Sequence, residues 1–351
     1  MPRALVSRLR RVLGILGLLI AVNAAAAARA DIAYFVSKTT GGLYRFETSG
    51  TAITALTGTN TFPDASALAL GSDGNLYVGD STNGGSIRRY VMTSGSVSTV
   101  VTLSGSNPAF GSGPVSPAAI AFTPGGAMLV GRNPQAAFSG YPNGQILEVV
   151  GWNGSTPTVQ NYSSGTGGNY QTGLTVAPDG TLYASNTTYD IFAAPLPALV
   201  GDVLKFDGSG VYQAVVAADG TATGGLSGPA GLGVFGSSLF IASTMNGNVY
   251  KTDLTNSNTA TNTTLFASTG GDYLGPLAML SDGGLLVGSV SGVPGLIYEF
   301  NTSGTLVGAF GDAAYGQIGG VVAVPEPATV LLFFAGAVGV TLSRLRGRRG
   351  A

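Results

Sequence analysis

The stretch "ALALGSDGNLYVGD", residues 67–80, predicts the local structure that the rest of the chain repeats. An apolar run, a short turn rich in Gly, Ser and Asp, and a second apolar run are typical of two antiparallel strands joined by a tight turn. The chain is therefore built from repeated hairpins. Four further copies are "AIAFTPGGAMLVGR" (119–132), "GLTVAPDGTLYASN" (173–186), "GLGVFGSSLFIAST" (231–244) and "LAMLSDGGLLVGSV" (277–290).

A second short phrase marks another turn in four of the repeats. It lies between two apolar strands, so each repeat contains a third and a fourth strand. Turn positions of the first motif are separated by 52, 54, 57 and 46 residues, a spacing that fits the four-stranded blade of a β-propeller. The copies of the phrase are "FETSG" (46–50), "VMTSG" (91–95), "FDGSG" (206–210) and "FNTSG" (300–304).

The two ends of the repeated region each hold part of one repeat. Residues 32–37 and 42–46 match a second and a third strand without a first, and residues 318–323 match a first strand with nothing after it. Pairing of the two ends would close the ring and remove exposed sheet edges. We therefore predict an all-β, six-bladed β-propeller over residues 31–323. Five blades, or seven if a divergent blade lies between residues 133 and 170, are the alternatives.

The composition supports this fold and excludes several functions. Charged residues make up 9% of the chain, against a usual value of about 25%, and 56 residues are Gly. Residues 31–323 carry seven basic and sixteen acidic side chains, a net charge of −9 that repels the phosphates of nucleic acids. The chain has no Cys and no His, so it has no disulfide, thiolate nucleophile or imidazole base. A binding or structural module is the expected class of protein.

Residues 1–30 have the features of a signal peptide. Four arginines between Met1 and Arg11 precede an apolar run from Val12 to Val22, and Ala28 and Ala30 form the small-residue site that signal peptidase requires. Cleavage after Ala30 would make Asp31 the first residue. An uncleaved anchor helix is the alternative.

Residues 324–351 have three parts that predict a single-pass sorting segment. Pro325-Glu326-Pro327 is followed by an apolar stretch at 328–342 whose 15 residues are fewer than the ~20 of an ordinary transmembrane helix. The tail then carries four arginines, which the positive-inside rule keeps on the cytoplasmic side. They are Arg344, Arg346, Arg348 and Arg349.

This tripartite segment resembles the PEP-CTERM sorting signal of Gram-negative bacteria that make extracellular polysaccharide. The resemblance covers about the last 28 residues. It implies recognition by a membrane enzyme, exosortase, which cuts near the motif and passes the protein to the cell surface or matrix. An ordinary tail anchor that keeps the body in the periplasm is the alternative.

The body resembles six-bladed propellers of the NHL-repeat and gluconolactonase types. Their blades carry a phrase similar to "GLTVAPDGTLYAS" at residues 173–185. The resemblance implies that a divalent-metal-dependent lactonase is a second candidate function, because lactonase-like proteins hold an ion near the channel with Glu, Asn and Asp.

Asp64, Asn169 and Asp272 are the candidate ligands for Ca²⁺ or Mg²⁺. Each is predicted to lie just before the first strand of a blade, and carboxylate and amide oxygens suit these ions. Turn capping is the alternative role for such residues. The body's glutamates are expected in third strands or in the turns after them, away from such positions.

Four aromatic residues on long connections are the candidate binding surface. Phe138 and Tyr141 lie in the segment 133–144, and Tyr189 and Phe192 lie in the segment 187–201. Exposed aromatic rings on proline-containing loops could stack on sugar rings or bury into a partner protein. The expected partner is a polysaccharide or a surface protein. Alternatively, the rings fold down over the blades.

Two further patterns are given no chemical role. Residues 231–236, "GLGVFG", fit the dinucleotide-binding fingerprint, but a strand and not a helix is expected after them. Asp73, Asp179 and Asp282 belong to Asp-Gly turns, where backbone geometry accounts for them.

Overall fold

The computed structural model describes residues 31–103, 115–134, 146–163, 171–189, 199–218, 225–255, 262–291 and 295–325. Within these residues the chain forms six four-stranded antiparallel sheets. The predicted signal peptide, with its cleavage site at Ala28 and Ala30, lies outside the described residues. So does the predicted sorting segment, except for Val324 and Pro325, which are the last two residues of a strand.

Five of the sheets are meanders of consecutive strands, and the sixth combines both ends of the chain. The closing sheet has the order β24 (Ile318–Pro325), β1 (Asp31–Ser37), β2 (Leu43–Glu47), β3 (Ile53–Ala55). Blade 2 contains β4 (Ala65–Leu70), β5 (Leu76–Asp80), β6 (Ser86–Tyr90) and β7 (Val97–Thr102), and blade 3 contains β8 (Val115–Phe122), β9 (Met128–Pro134), β10 (Ile146–Val150) and β11 (Thr158–Asn161). Blade 4 contains β12 (Leu174–Val176), β13 (Leu182–Tyr189), β14 (Leu199–Phe206) and β15 (Tyr212–Ala218). Blade 5 contains β16 (Pro229–Phe235), β17 (Ser238–Ser243), β18 (Asn248–Asp253) and β19 (Thr263–Ser268), and blade 6 contains β20 (Tyr273–Met279), β21 (Leu285–Ser291), β22 (Leu296–Phe300) and β23 (Leu306–Gly311).

The predicted closure of the ring is confirmed. Strand β24 is the neighbour of β1, and β1 pairs with β2 in a register that places Phe35 opposite Tyr44. The closing sheet, blade 1, therefore takes its first strand from the far end of the body. The six sheets correspond to the six blades expected from the repeats, and strand β17 follows "GLGVFG", as expected.

The apolar core consists of layers between neighbouring blades. Each layer contains side chains from two adjacent sheets, including one layer between blades 6 and 1 and one between blades 1 and 2. Along β1, Phe35 faces blade 6, while Tyr34 and Val36 face blade 2. This strand is buried on both faces, which explains why it is apolar along most of its length.

The strand order gives the ring two distinct faces. We call the face with the first-to-second and third-to-fourth turns the turn face, and the face with the other connections the loop face. On the turn face, Asp73 and Asp179 accept hydrogen bonds from backbone N–H groups two residues ahead, at 3.1 and 2.9 Å. Gly74 and Gly180 follow them with φ of 77° and 87°. Asp282 caps its turn in the same way, so the turn role predicted for these aspartates is confirmed.

The connection between β13 and β14 differs from its predicted extent. The sequence predicted a loop over residues 187–201, but the ladder continues through the pairs Thr187↔Gly201, Thr188↔Val200 and Tyr189↔Leu199. β-Branched residues at 187, 188 and 200 favour the extended conformation, which accounts for the longer strands.

One compact unit spans Ile32–Val324. The second unit, Met1–Asp31 with Pro325–Ala351, lies almost entirely outside the described residues. In the part of the chain that the structure describes, no helix has the length and apolar character needed to cross a membrane.

Candidate binding site

The innermost strands of all six blades surround an axial channel that opens on the loop face. Its volume is about 590 Å³. Each blade contributes the beginning of its first strand, and several also contribute a residue near the end of the second strand or just after it. The channel is thus a property of the closed ring, because every blade contributes to its wall.

A collar of six branched apolar side chains forms the deep part of the channel. Each blade contributes one of them, from the same position of its first strand, and all are buried. Above the collar the wall is made of small residues such as Ala119, Gly173 and Gly231. The collar residues are Leu68, Ile120, Leu174, Leu232, Leu277 and Val321.

The small residues above the collar allow the backbones of neighbouring blades to lie close together. A Cβ at Gly173 would overlap the carbonyl oxygen of Ala230 in the next blade. A Cβ at Gly319 would likewise overlap the carbonyl oxygen of Ala65. The glycines therefore set the width of the channel through contact between blades.

Hydroxyl groups dominate the polar part of the mouth. Ser66 Oγ donates to the carbonyl oxygen of Pro117 in the next blade at 2.6 Å, and Thr187 Oγ1 donates to that of Pro229 at 2.8 Å. Thr244 also lines the channel, and its hydroxyl has no hydrogen-bond partner among the described residues. The mouth can therefore offer hydrogen bonds to a hydroxyl-bearing ligand without presenting net charge.

Lys38 is the one charged side chain among the described residues that line the channel. Its Nζ lies 3.2 Å from Oδ1 of Asp64, and both side chains are partly exposed. The pair neutralises the mouth locally. Since it is partly exposed, its contribution to stability is small, about 0.2–1 kcal/mol.

The predicted metal site is described at two of its three positions. Asp64 and Asp272 do lie just before the first strands of their blades, as predicted, but the Asp64 carboxylate pairs with Lys38. The Asp272 carboxylate accepts a hydrogen bond from the Tyr298 hydroxyl. Asn169 lies outside the described residues, and within those residues no three Asp, Glu, His or Cys side chains come together to hold a metal ion.

The predicted aromatic surface is described at one of its four positions. Tyr189 is the last residue of β13 and pairs with Leu199 of β14. Phe138, Tyr141 and Phe192 lie outside the described residues. The predicted surface therefore stays a prediction.

The sequence analysis missed the collar, although its signal is present in the repeats. The apolar residue at the second position of "ALAL", "AIAF", "GLTV" and "GLGV" recurs in every blade. The small residue directly before this apolar position would have identified the strand that faces the axis, because only small side chains fit where the inner strands converge.

No protein-family model matches the sequence, and no curated protein matches it. Solved structures match its fold. A chain of the nidogen–laminin complex is 15% identical with a TM-score of 0.61, covering 84% of this chain and 98% of that one. TolB from Acinetobacter baumannii is 14% identical with a TM-score of 0.59, covering 85% of this chain and 67% of that one. A structure with the provisional name gluconolactonase is 12% identical with a TM-score of 0.51, covering 73% of this chain and 80% of that one.

At these identities the likeness establishes the fold and nothing further. The body is a six-bladed β-propeller with TolB-like and lactonase-like structural neighbours. What those proteins bind or catalyse does not pass to this chain through the fold.

Proposed function

We propose that the protein is an exported β-propeller that binds a polysaccharide through the mouth of its axial channel. The observation that carries this proposal is the channel itself, with a hydroxyl-lined mouth above an apolar collar. Saccharides offer hydroxyl groups for such a mouth and apolar ring faces for its deeper wall. A volume of about 590 Å³ is within the range of small-molecule sites.

The alternative of a metal-dependent lactonase has less support. It requires Asp64, Asn169 and Asp272 to share an ion, and two of these carboxylates already have the partners Lys38 and Tyr298. A binding role needs no metal and no nucleophile, which agrees with a chain that has neither His nor Cys.

The terminal segments support a cell-surface or matrix location. In the proposed route, signal peptidase removes residues 1–30, and residues 328–342 hold the protein in the inner membrane until an exosortase acts near Pro325-Glu326-Pro327. Strand β24 ends at Pro325 on the turn face, opposite the mouth of the channel.

Intact-mass analysis of protein released from the cell surface tests this route. We expect a chain that begins at Asp31 and lacks the segment from Arg344 to Arg349. Replacing Glu326 and Pro327 by Ala should leave the full tail in place and keep the protein in the membrane fraction. Released protein that retains Arg349 would instead identify an ordinary tail anchor, and retained Met1 would identify an uncleaved leader.

Titration with oligosaccharides prepared from the producer's own matrix polysaccharide tests the channel. Thr244→Val removes a hydroxyl at constant shape, and we expect it to weaken binding about tenfold. Ala118→Trp fills the channel and should abolish binding, because Ala118 lines it and is partly exposed. Ala55→Trp, on the exposed outer strand β3, is the matched control and should bind normally. Equal affinity for all three variants would contradict the proposal.

A further inference from the structure

A second cavity lies between blades 3 and 4, toward the turn face. Its volume is about 580 Å³, close to that of the channel. The turn after β8, the turn after β12 and the turn after β14 line it together with strands β10 and β11. We call it the blade 3–4 cleft and define it by Thr123, Glu148, Gln160, Tyr162 and Asp179.

At the equivalent place between blades 5 and 6 an aromatic side chain lies against the turn of the neighbouring blade. Phe235 holds the position in blade 5 that Thr123 holds in blade 3, counted along the first strand. A Cβ built on Gly283 of blade 6 would lie 2.7 Å from the Phe235 ring, so the ring rests on that turn. Gly180 is the equivalent glycine of blade 4, and a Cβ there would meet no atom within 4 Å. The smaller side chain of Thr123 leaves the blade 3–4 cleft open.

Two carboxylates from facing blades give the cleft its charge. Glu148 Oε2 accepts a hydrogen bond from Gln160 Nε2 at 2.9 Å, and Asp179 Oδ1 accepts one from the Thr181 backbone N–H at 2.9 Å. Within the described ranges neither carboxylate forms an ion pair. Lys205 acts on Asp179 only at longer range.

Tyr162, in the wall of the cleft, lies near Glu148 and near a further carboxylate, Asp207. Burial, and then the negative charges of Glu148 and Asp207, raise the pKa of Tyr162 above its ordinary value. Its hydroxyl donates to the carbonyl oxygen of Gly208 at 2.9 Å and so connects the two blades. The cleft is therefore a negatively charged cavity, and the hydrogen bond of Tyr162 joins one of its walls to the neighbouring blade.

The remaining lining suits a sugar. Gln160 and Asn161 present exposed amides, which donate to and accept from hydroxyl groups. Pro124 and Pro178 add flat apolar surfaces. A basic peptide would match the negative charge of the cleft, but its long side chains would require apolar pockets. The apolar side chains that line the cleft are short.

We propose that the blade 3–4 cleft is a second binding site, specific for cationic amino-sugar units of a polysaccharide. The ammonium group lies between Glu148 and Asp179, and the ring hydroxyls bond to the amides of Gln160 and Asn161. This site is separate from the channel, so it would allow one protein to hold two strands or two segments of a polymer.

Titration of the full chain with β-1,4-linked glucosamine oligomers at low ionic strength tests the proposal, with the N-acetylated oligomer as the uncharged comparison. Thr123→Phe copies the Phe235 arrangement and should reduce affinity for the glucosamine oligomer at least about tenfold. Glu148→Gln and Asp179→Asn should each reduce it about fivefold, because both keep an acceptor oxygen and lose the charge. Added salt should weaken binding in parallel.

Three controls separate this site from the channel and from loss of folding. Ala118→Trp, which fills the channel, should leave glucosamine binding unchanged, and so should Phe235→Thr in blade 5. Thermal unfolding of Thr123→Phe should match that of the unaltered chain, since blade 5 already accommodates Phe at this position. If the channel proposal is wrong, Ala118→Trp will bind the matrix oligosaccharide normally. The effect of Thr123→Phe on glucosamine binding does not depend on that result.

Several outcomes would overturn the proposal. They are absence of glucosamine binding, equal or stronger binding of the N-acetylated oligomer, and binding that Thr123→Phe leaves unchanged. Binding of oligolysine in place of glucosamine, with the same dependence on Thr123 and Glu148, would assign the cleft to a basic peptide and would also overturn it.

Discussion

A chain that ends at Gln317 should lose cooperative unfolding and aggregate, whereas one that ends at Pro325 should fold. The difference is strand β24, whose Ile318 and Val321 are 0% and 5% exposed in the layer between blades 1 and 6. Burial of two such side chains contributes about 4 kcal/mol, a large part of the 5–15 kcal/mol that typically separates folded from unfolded protein. Removal of β24 also leaves β1 as an exposed edge that is apolar on both faces.

Thermal unfolding followed by circular dichroism, with size-exclusion chromatography, measures this effect. The chain ending at Pro325 is the matched control, because the two differ by β24 alone. Similar melting curves and monomeric elution for both chains would show that closure by the two ends contributes little, and would contradict the structural role of β24.

Gly304→Ala should destabilise the protein by about 3 kcal/mol, whereas Gly74→Ala should cost about 1 kcal/mol. Both glycines have left-handed backbones, with φ of 79° and 77°, so both substitutions introduce the same strain. They differ in their surroundings. A Cβ at Gly304 would overlap the carbonyl oxygen of Phe266 in blade 5, while a Cβ at Gly74 would meet no atom within 4 Å.

Urea unfolding of the two variants isolates this contact between blades. Since the backbone strain is common to both, the difference between their free energies of unfolding reports the overlap with Phe266. Gly210, which ends the same phrase in blade 4, approaches Tyr162 of blade 3 in the same way, so Gly210→Ala should behave like Gly304→Ala. Equal losses in Gly304→Ala and Gly74→Ala would show that the blades do not meet at this glycine.

The repeated phrase illustrates how far sequence reasoning reaches. "FDGSG" and "FNTSG" predicted turns between third and fourth strands, and Asp207 and Asn301 do cap those turns by accepting from backbone N–H groups at 2.9 and 3.0 Å. The final glycine of each phrase also leaves space for a backbone carbonyl oxygen of the preceding blade. No local sequence pattern predicts this contact. A positive φ is a property of a few neighbouring residues, whereas these contacts between blades join residues 38 and 48 positions apart.

The candidate sites divide in the same way. Asp64 and Asp272 lie where the repeats predicted, yet their carboxylates pair with Lys38 and Tyr298. Both partners lie 26 positions away in the sequence; Lys38 belongs to the neighbouring blade and Tyr298 to the third strand of the same blade as Asp272. Thr123 and Phe235 occupy the same position in two repeats, but the open cleft beside Thr123 and the contact of the Phe235 ring with Gly283 became visible only from the packing of adjacent blades.

From the order of its residues alone, this chain reveals an all-β fold, the four-stranded unit and the pairing of its two ends. These features follow from alternating apolar residues and turn glycines, which act over a few positions and recur with the repeat. The tertiary structure determines the width of the channel and its collar. It also determines the partners of Asp64 and Asp272 and the cleft between blades 3 and 4. They depend on how neighbouring blades pack, and that packing joins side chains that no short stretch of sequence contains.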